Sequence, residues 1–194
     1  QEALEAYNQA LEINPDDDRV WFERGLFLVD LERWEEAIES LDRALAINPN
    51  NDRAWNNRGF ALKKLKREWE EVIEVLDQAL AINPDDDQAW INRGFALEKL
   101  ERWKEAIASL DKALAINPHN DLVWNLRGLA LVALEELGRW KEVIASYDQA
   151  LAINPNNDKA WNNRGFALRR LERWEEAIAS CDRALTINPD NDLA

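Results

Sequence analysis

Residues 85–118 read DDDQAWINRGFALEKLERWKEAIASLDKALAINP, and this stretch decides the fold. Asp87 stands before Trp90, Gly94 and Leu97, three residues whose spacing puts them on one face of a helix. A second helix is expected to start near Trp103, with Ala106, Leu110 and Ala113 along its apolar stripe. Asn117-Pro118 then stops it, because a residue preceding proline is pushed out of helical geometry.

The same pattern runs along the chain in both directions. Ile-Asn-Pro recurs with proline at 15, 49, 84, 118, 155 and 189, at intervals of 34, 35, 34, 37 and 34. Each interval opens with an Asp (Asp18, Asp52, Asp87, Asp121, Asp158), which reads as a helix N-cap. Three residues on comes Trp21, Trp55, Trp90, Trp124 or Trp161, and four further Gly25, Gly59, Gly94, Gly128 or Gly165. A second Trp follows at 34, 69, 103, 140 and 174, so two per interval account for all 10. Acids just after it, such as Glu35 and Glu36, suit the positive end of a helix dipole. In the first interval the second stripe is Ile38, Leu41, Ala44 and Leu45. A period of about 34 residues marks a repeat architecture. No strand pattern interrupts it.

Glycine costs a helix interior roughly 0.5–1 kcal/mol relative to alanine, so its recurrence implies close helix packing. The expected partner is the small residue early in the second helix: Ala37, Ala106 or Ala177, with Val72 and Val143 in the two units that carry turn insertions. Gly138 is expected as a helix-ending residue after the three-residue insertion.

The series Trp90, Gly94, Leu97, Ala106, Leu110, Ala113 and Pro118, repeated in five tandem units over essentially the whole chain, closely resembles the tetratricopeptide repeat family. The resemblance implies an all-α fold, a right-handed superhelical solenoid of antiparallel helix pairs with a concave groove. The expected division is a single array over 1–194. Residues 1–15 are the second helix of a partial repeat. Five repeats span 16–49, 50–84, 85–118, 119–155 and 156–189, and 190–194 open a further one. The array then reads as a piece of a longer one, or as one that associates through its ends.

Composition excludes several functions. Lys and Arg number 24 against 38 Asp and Glu, a net charge of −14, which disfavours nucleic acid because affinity there rests on neutralised phosphates. No apolar run is long enough to span a membrane, and residues 1–12 lack the order of a signal segment, which favours a cytoplasmic location. One Cys and one His leave no zinc cluster or nucleophile–histidine pair. Cys181 occupies a core position and His119 a loop; the acid runs 16–18 and 85–87 lack the rest of a calcium loop. No catalytic, metal or cofactor site is expected.

Two periodic charges suggest an interhelical ion pair: an Arg before every Gly (Arg24, Arg58, Arg93, Arg127, Arg164) and an Asp eight residues after every second Trp (Asp42, Asp77, Asp111, Asp148, Asp182). Function is expected in the groove, which the resemblance lines with first helices. Three units share an Asn–Phe–base signature there: Asn57, Phe60 and Lys64; Asn92, Phe95 and Lys99; Asn163, Phe166 and Arg170. Asn suits a peptide main chain, Phe an apolar side chain, and the base an acidic group. The Phe rings have a second reading, packing against the adjoining unit. The family's carboxylate clamp is not expected: Phe60 and Phe95 stand where it needs Asn, and Asn56 and Ile91 where it needs Lys. The expected partner is a protein or peptide. Two other readings are a self-associating array and the interaction arm of a larger chain.

Overall fold

The computed structural model describes residues 2–134 and 138–189. Among these, eleven helices and no strands are present. A single helix α1 (Glu2–Ile13) precedes five pairs. The first helices are α2 (Asp18–Asp30), α4 (Asp52–Lys64), α6 (Asp87–Lys99), α8 (Asp121–Ala133) and α10 (Asp158–Arg170). The second helices are α3 (Trp34–Ile47), α5 (Trp69–Ile82), α7 (Trp103–Ile116), α9 (Trp140–Ile153) and α11 (Trp174–Ile187).

The chain divides into two compact units, 1–100 and 101–194. In the first, α2 packs on α3 and α4 on α5, while α3 meets α4, α5 meets α6, and α4 lies against both α2 and α6. A core of Phe22, Leu41, Ala44, Leu45 and Ala54 takes Trp21 and Trp55 against its side. In the second, α7 to α11 stack each on the next. Its core centres on Leu131, Val143, Tyr147, Leu151 and Leu168, with Trp103, Trp124, Trp140 and Trp161 packed on it. Nine of the ten tryptophans are therefore half-buried packing residues, and Trp174 is exposed.

Each unit is closed by side-chain bonds that the proline-to-proline pattern encodes. The first Trp of every unit donates its indole N–H to the proline carbonyl six residues back, from Trp21 to Pro15 at 2.8 Å and from Trp90 to Pro84 at 2.9 Å. The helix cap is displaced by one residue from the expected Asp: Asp17, Asn51, Asp86, Asn120 and Asn157 cap the first helices, each accepting a backbone N–H three residues on. The repeated Asp instead joins the two ends of its unit, accepting from the Asn of Asn-Pro: Asn48 Nδ2 to Asp18 at 2.8 Å, Asn83 to Asp52 at 2.8 Å. The same Asn accepts the N–H two residues on, as Asn48 Oδ1 does from Asn50. Only an amide can do both, which explains Asn rather than Asp at this position.

The glycine contact also differs from expectation. A Cβ on Gly25 would sit 2.8 Å from Leu41, on Gly59 2.8 Å from Leu76, on Gly128 2.6 Å from the Tyr147 ring, and on Gly165 2.9 Å from Cys181 Sγ. The partner is the residue one turn beyond Ala37 or Ala177, because a helical side chain leans toward its own N-terminus and covers that gap. Gly138 is not the helix-ending residue either: α8 ends at Ala133 with Leu134 as its cap, and Gly138 takes φ +109° just before α9. In four other turns a charged residue holds positive φ: Glu32, Lys66, Glu101 and Glu172.

Candidate peptide-binding face

The first helices carry the side chains singled out from the sequence, and in the 1–100 unit α2, α4 and α6 lie side by side. Each Phe of the signature meets the second Trp of the preceding repeat. Trp34 meets Phe60 edge-on at 5.9 Å, Trp69 meets Phe95 at 5.8 Å, and Trp140 meets Phe166 at 6.0 Å. The rings thus pack between repeats while keeping part of their surface open. Lys64 lies over Trp34 and Phe60 at 5.7 and 5.3 Å, Lys99 over Phe95 at 4.8 Å, and Arg170 over Trp140 at 5.1 Å.

The three Asn residues have different surroundings. Asn57 donates to the Arg53 carbonyl of its own helix at 2.8 Å. Asn163 lines an open cavity beside α11. Asn92 is buried, 1% exposed. It donates to Asn56 Oδ1 at 3.2 Å and accepts from Lys63 Nζ at 2.6 Å, so its amide is committed to neighbours instead of being offered to a ligand.

That bond introduces a residue the sequence reading missed. Lys63 reaches from α4 to α6, and its ammonium lies 4.8 Å from the Phe60 ring and 5.2 Å from the Phe95 ring. Burial, then the charge of Lys64, push it from 10.5 down to about 8. Asn56 completes the arrangement by donating to the cap residue Asp86 at 2.9 Å. The available signal was the adjacent pair Lys63-Lys64: one base lies on the signature spacing and the other one residue earlier, toward the next repeat. Lys63, Lys64 and Lys99 therefore gather on two Phe rings in a chain whose net charge is −14.

The periodic Arg and Asp do pair, and they pair between repeats. Arg58 meets Asp42 at 2.5 Å, Arg93 Asp77 at 2.6 Å, Arg127 Asp111 at 2.5 Å, and Arg164 Asp148 at 2.6 Å. Arg24 meets Asn8, which holds the Asp position in α1. Arg24, Arg127 and Arg164 also donate to Ser40, Ser146 and Ser180 of their own repeat, clipping three helices together. Val75 replaces that Ser in the second repeat, and Arg58 reaches Glu71 instead at 3.6 Å. Among the described residues no cluster of His, Cys, Asp and Glu could hold a metal ion, and no helix is long and apolar enough to cross a membrane.

These repeats, with their Trp–Gly–Leu frame, define a class: the chain belongs to the tetratricopeptide repeat family. A TPR repeat profile matches residues 1–29, 25–66 and 133–171, and two further tetratricopeptide repeat profiles match 61–130 and 158–191. Among solved structures it is similar to YrrB, described as a TPR protein with an unusual peptide-binding site. The TM-score is 0.85 at 24% identity, over 98% of this chain and 96% of that one. It is similar also to MamA, with TM-score 0.78 at 21% identity over 85% and 94%. MamA from residue 41 onward of Desulfovibrio magneticus RS-1 gives 0.80 at 20% over 90% and 97%. These likenesses establish the solenoid fold of helix pairs. No curated protein sequence matches the chain.

Proposed function

We propose that the chain is a protein-interaction module that holds an acidic peptide segment against its first helices. The observation that carries this reading is Lys63, bonded to Asn92 at 2.6 Å between the Phe60 and Phe95 rings and flanked by Lys64 and Lys99. A carboxylate arriving there meets ammonium groups whose approach is confined by aromatic edges, and partial removal from water strengthens the attraction. Phe60 and Phe95 offer apolar surface to the neighbouring side chain, and Asn57 an amide to the main chain. Asn92 acts at one remove by fixing Lys63. Phe166 and Arg170, beside Asn163, offer the same chemistry in the 101–194 unit. The peptide-binding description of YrrB is consistent with this use of the fold.

The test is binding of a library of Asp- and Glu-rich peptides to the native chain and to the double variant Lys64→Glu, Lys99→Glu. Both side chains are at the surface, so circular dichroism should be unchanged. The expected result is selection of acidic sequences and a loss of at least about tenfold in affinity for the variant, steeper at low salt. Equal binding of basic and acidic peptides, or indifference to the charge reversal, would sink the proposal.

A further inference from the structure

Lys63 is a half-buried lysine, and among the described residues no carboxylate forms an ion pair with it. The acids around it are engaged elsewhere: Glu98 pairs with Lys99 at 3.5 Å, and Asp86 takes the Asn56 amide at 2.9 Å. That second bond orients everything beyond it. A carboxylate only accepts, so Asn56 must turn its Nδ2 toward Asp86. Asn56 Oδ1 is then left for Asn92 Nδ2, at 3.2 Å, and Asn92 Oδ1 for Lys63 Nζ, at 2.6 Å. Asn92 is buried, so this oxygen needs one N–H from Lys63. A neutral amine supplies that N–H and still has a lone pair to offer.

The rest of the surroundings are two rings and two cations. Nζ lies 4.8 Å from the centre of Phe60 and 5.2 Å from that of Phe95. Lys64 shares the Phe60 ring at 5.3 Å, and Lys99 the Phe95 ring at 4.8 Å. Desolvation and a neighbouring cation are the two conditions that turn a lysine into a nucleophile. Together they leave half of Lys63 as free amine at about pH 8. We propose that Lys63 is a site of reversible carbamylation by carbon dioxide. The Nζ lone pair attacks the carbon of CO2, an N–C bond forms as one C=O π pair moves onto oxygen, and one N–H proton passes to solvent. The product keeps a single N–H, which stays on Asn92 Oδ1. Its new carboxylate is an anion beside the Lys64 and Lys99 ammonium groups, which favour it for the same reason that Lys64 disfavours a cation at Lys63. A neutral acyl product would gain nothing from these charges, and this singles out CO2 among electrophiles. Carbamylation turns a cation into an anion on the face assigned above to an acidic peptide, so on that reading CO2 releases the peptide. The carbamate itself does not rest on that reading.

The experiment equilibrates the native chain with 13C-labelled CO2 and bicarbonate at about pH 8, with no peptide present. Carbamates are trapped as esters with a trialkyloxonium salt and located by peptide mass mapping, with fragment ions separating Lys63 from Lys64. The label at Lys63 is expected to exceed that at every other lysine by at least about tenfold, because a lysine near 10.4 holds far less free amine at this pH. Lys64→Glu, a surface change, places a carboxylate where it holds Lys63 as ammonium and repels the carbamate. It should lower the label at Lys63 at least about tenfold, with an unchanged helical spectrum identifying folded protein. Label at Lys63 no higher than at the other lysines, or indifferent to Lys64→Glu, overturns the proposal. So does fast acetylation of Lys63 by an activated ester without a trapped carbamate, because the amine would then be a nucleophile that the neighbouring cations do not direct toward CO2.

Discussion

At the scale of single residues, the tightest packing lies where the repeat departs from its own pattern. Tyr147 replaces the Leu found at 41, 76 and 110, and its ring lies against Gly128. Gly128→Ala would place a methyl 2.6 Å from a rigid ring. Overpacking of about 1–3 kcal/mol then outweighs the helix propensity returned, about 1 kcal/mol, and chemical denaturation should show a net loss. The Tyr147 hydroxyl is buried with no hydrogen-bond partner among the described residues, and desolvation drives its ionisation well above the ordinary phenol range. Tyr147→Phe is therefore expected to raise the melting temperature, by relieving about 1–3 kcal/mol of unmet hydrogen bonding. Trp90→Ala should cost about 3 kcal/mol. Trp90→Phe, which keeps a ring but loses the bond to Pro84, should cost less, with about 1 kcal/mol from that bond. A Phe variant as unstable as the Ala variant would refute this division.

At the scale of elements, periodicity gave helix number and extent, because two apolar stripes per 34 residues leave little freedom in where helices run. It misplaced the caps by one residue, since each first helix is preceded by two adjacent side chains able to cap. What distinguishes Asn51 from Asp52 is the distant Asn83 amide, which holds Asp52 and leaves Asn51 to bond the Ala54 N–H. The first-helix ends follow a second rule. Glu32 and Glu172 sit at φ 56° and 58°, and the next N–H, of Arg33 or Arg173, returns to the carbonyl of Leu28 or Leu168. A left-handed conformation is costly for a residue with a Cβ, so Glu172→Gly should stabilise by about 0.5–1 kcal/mol. Thermal melting checks this, and a loss of stability would contradict it.

At the scale of the whole molecule, charge is sorted rather than spread. The interhelical ion pairs were legible as paired periods, but their direction was not, because spacing alone does not say which repeat supplies the acid. The acids are about half exposed, 48% for Asp148, so each pair belongs with surface bridges. A double-mutant cycle of Arg164→Ala with Asp148→Ala should return a coupling of at most about 1 kcal/mol. The basic face was half legible: Lys64 and Lys99 follow the signature, whereas the depth of Lys63 depends on how α4 and α6 approach. Its depressed pKa sets a pH dependence. Between about 8 and 10.5 the unfolded chain holds a proton on Lys63 that the folded chain releases. Lys63 therefore contributes a stability that rises with pH across this window and is level below it. Denaturation at pH 8 and 10.5 should show Lys63→Met lacking that rise.

The indole bonds to the proline carbonyls have one more consequence. Trp21, Trp55, Trp90, Trp124 and Trp161 each anchor the loop that opens their own repeat, so five ring protons are each tied to a different stretch of the chain. Placed in deuterated solvent, each should exchange when its own loop lets go, giving five independent clocks for local opening along one molecule.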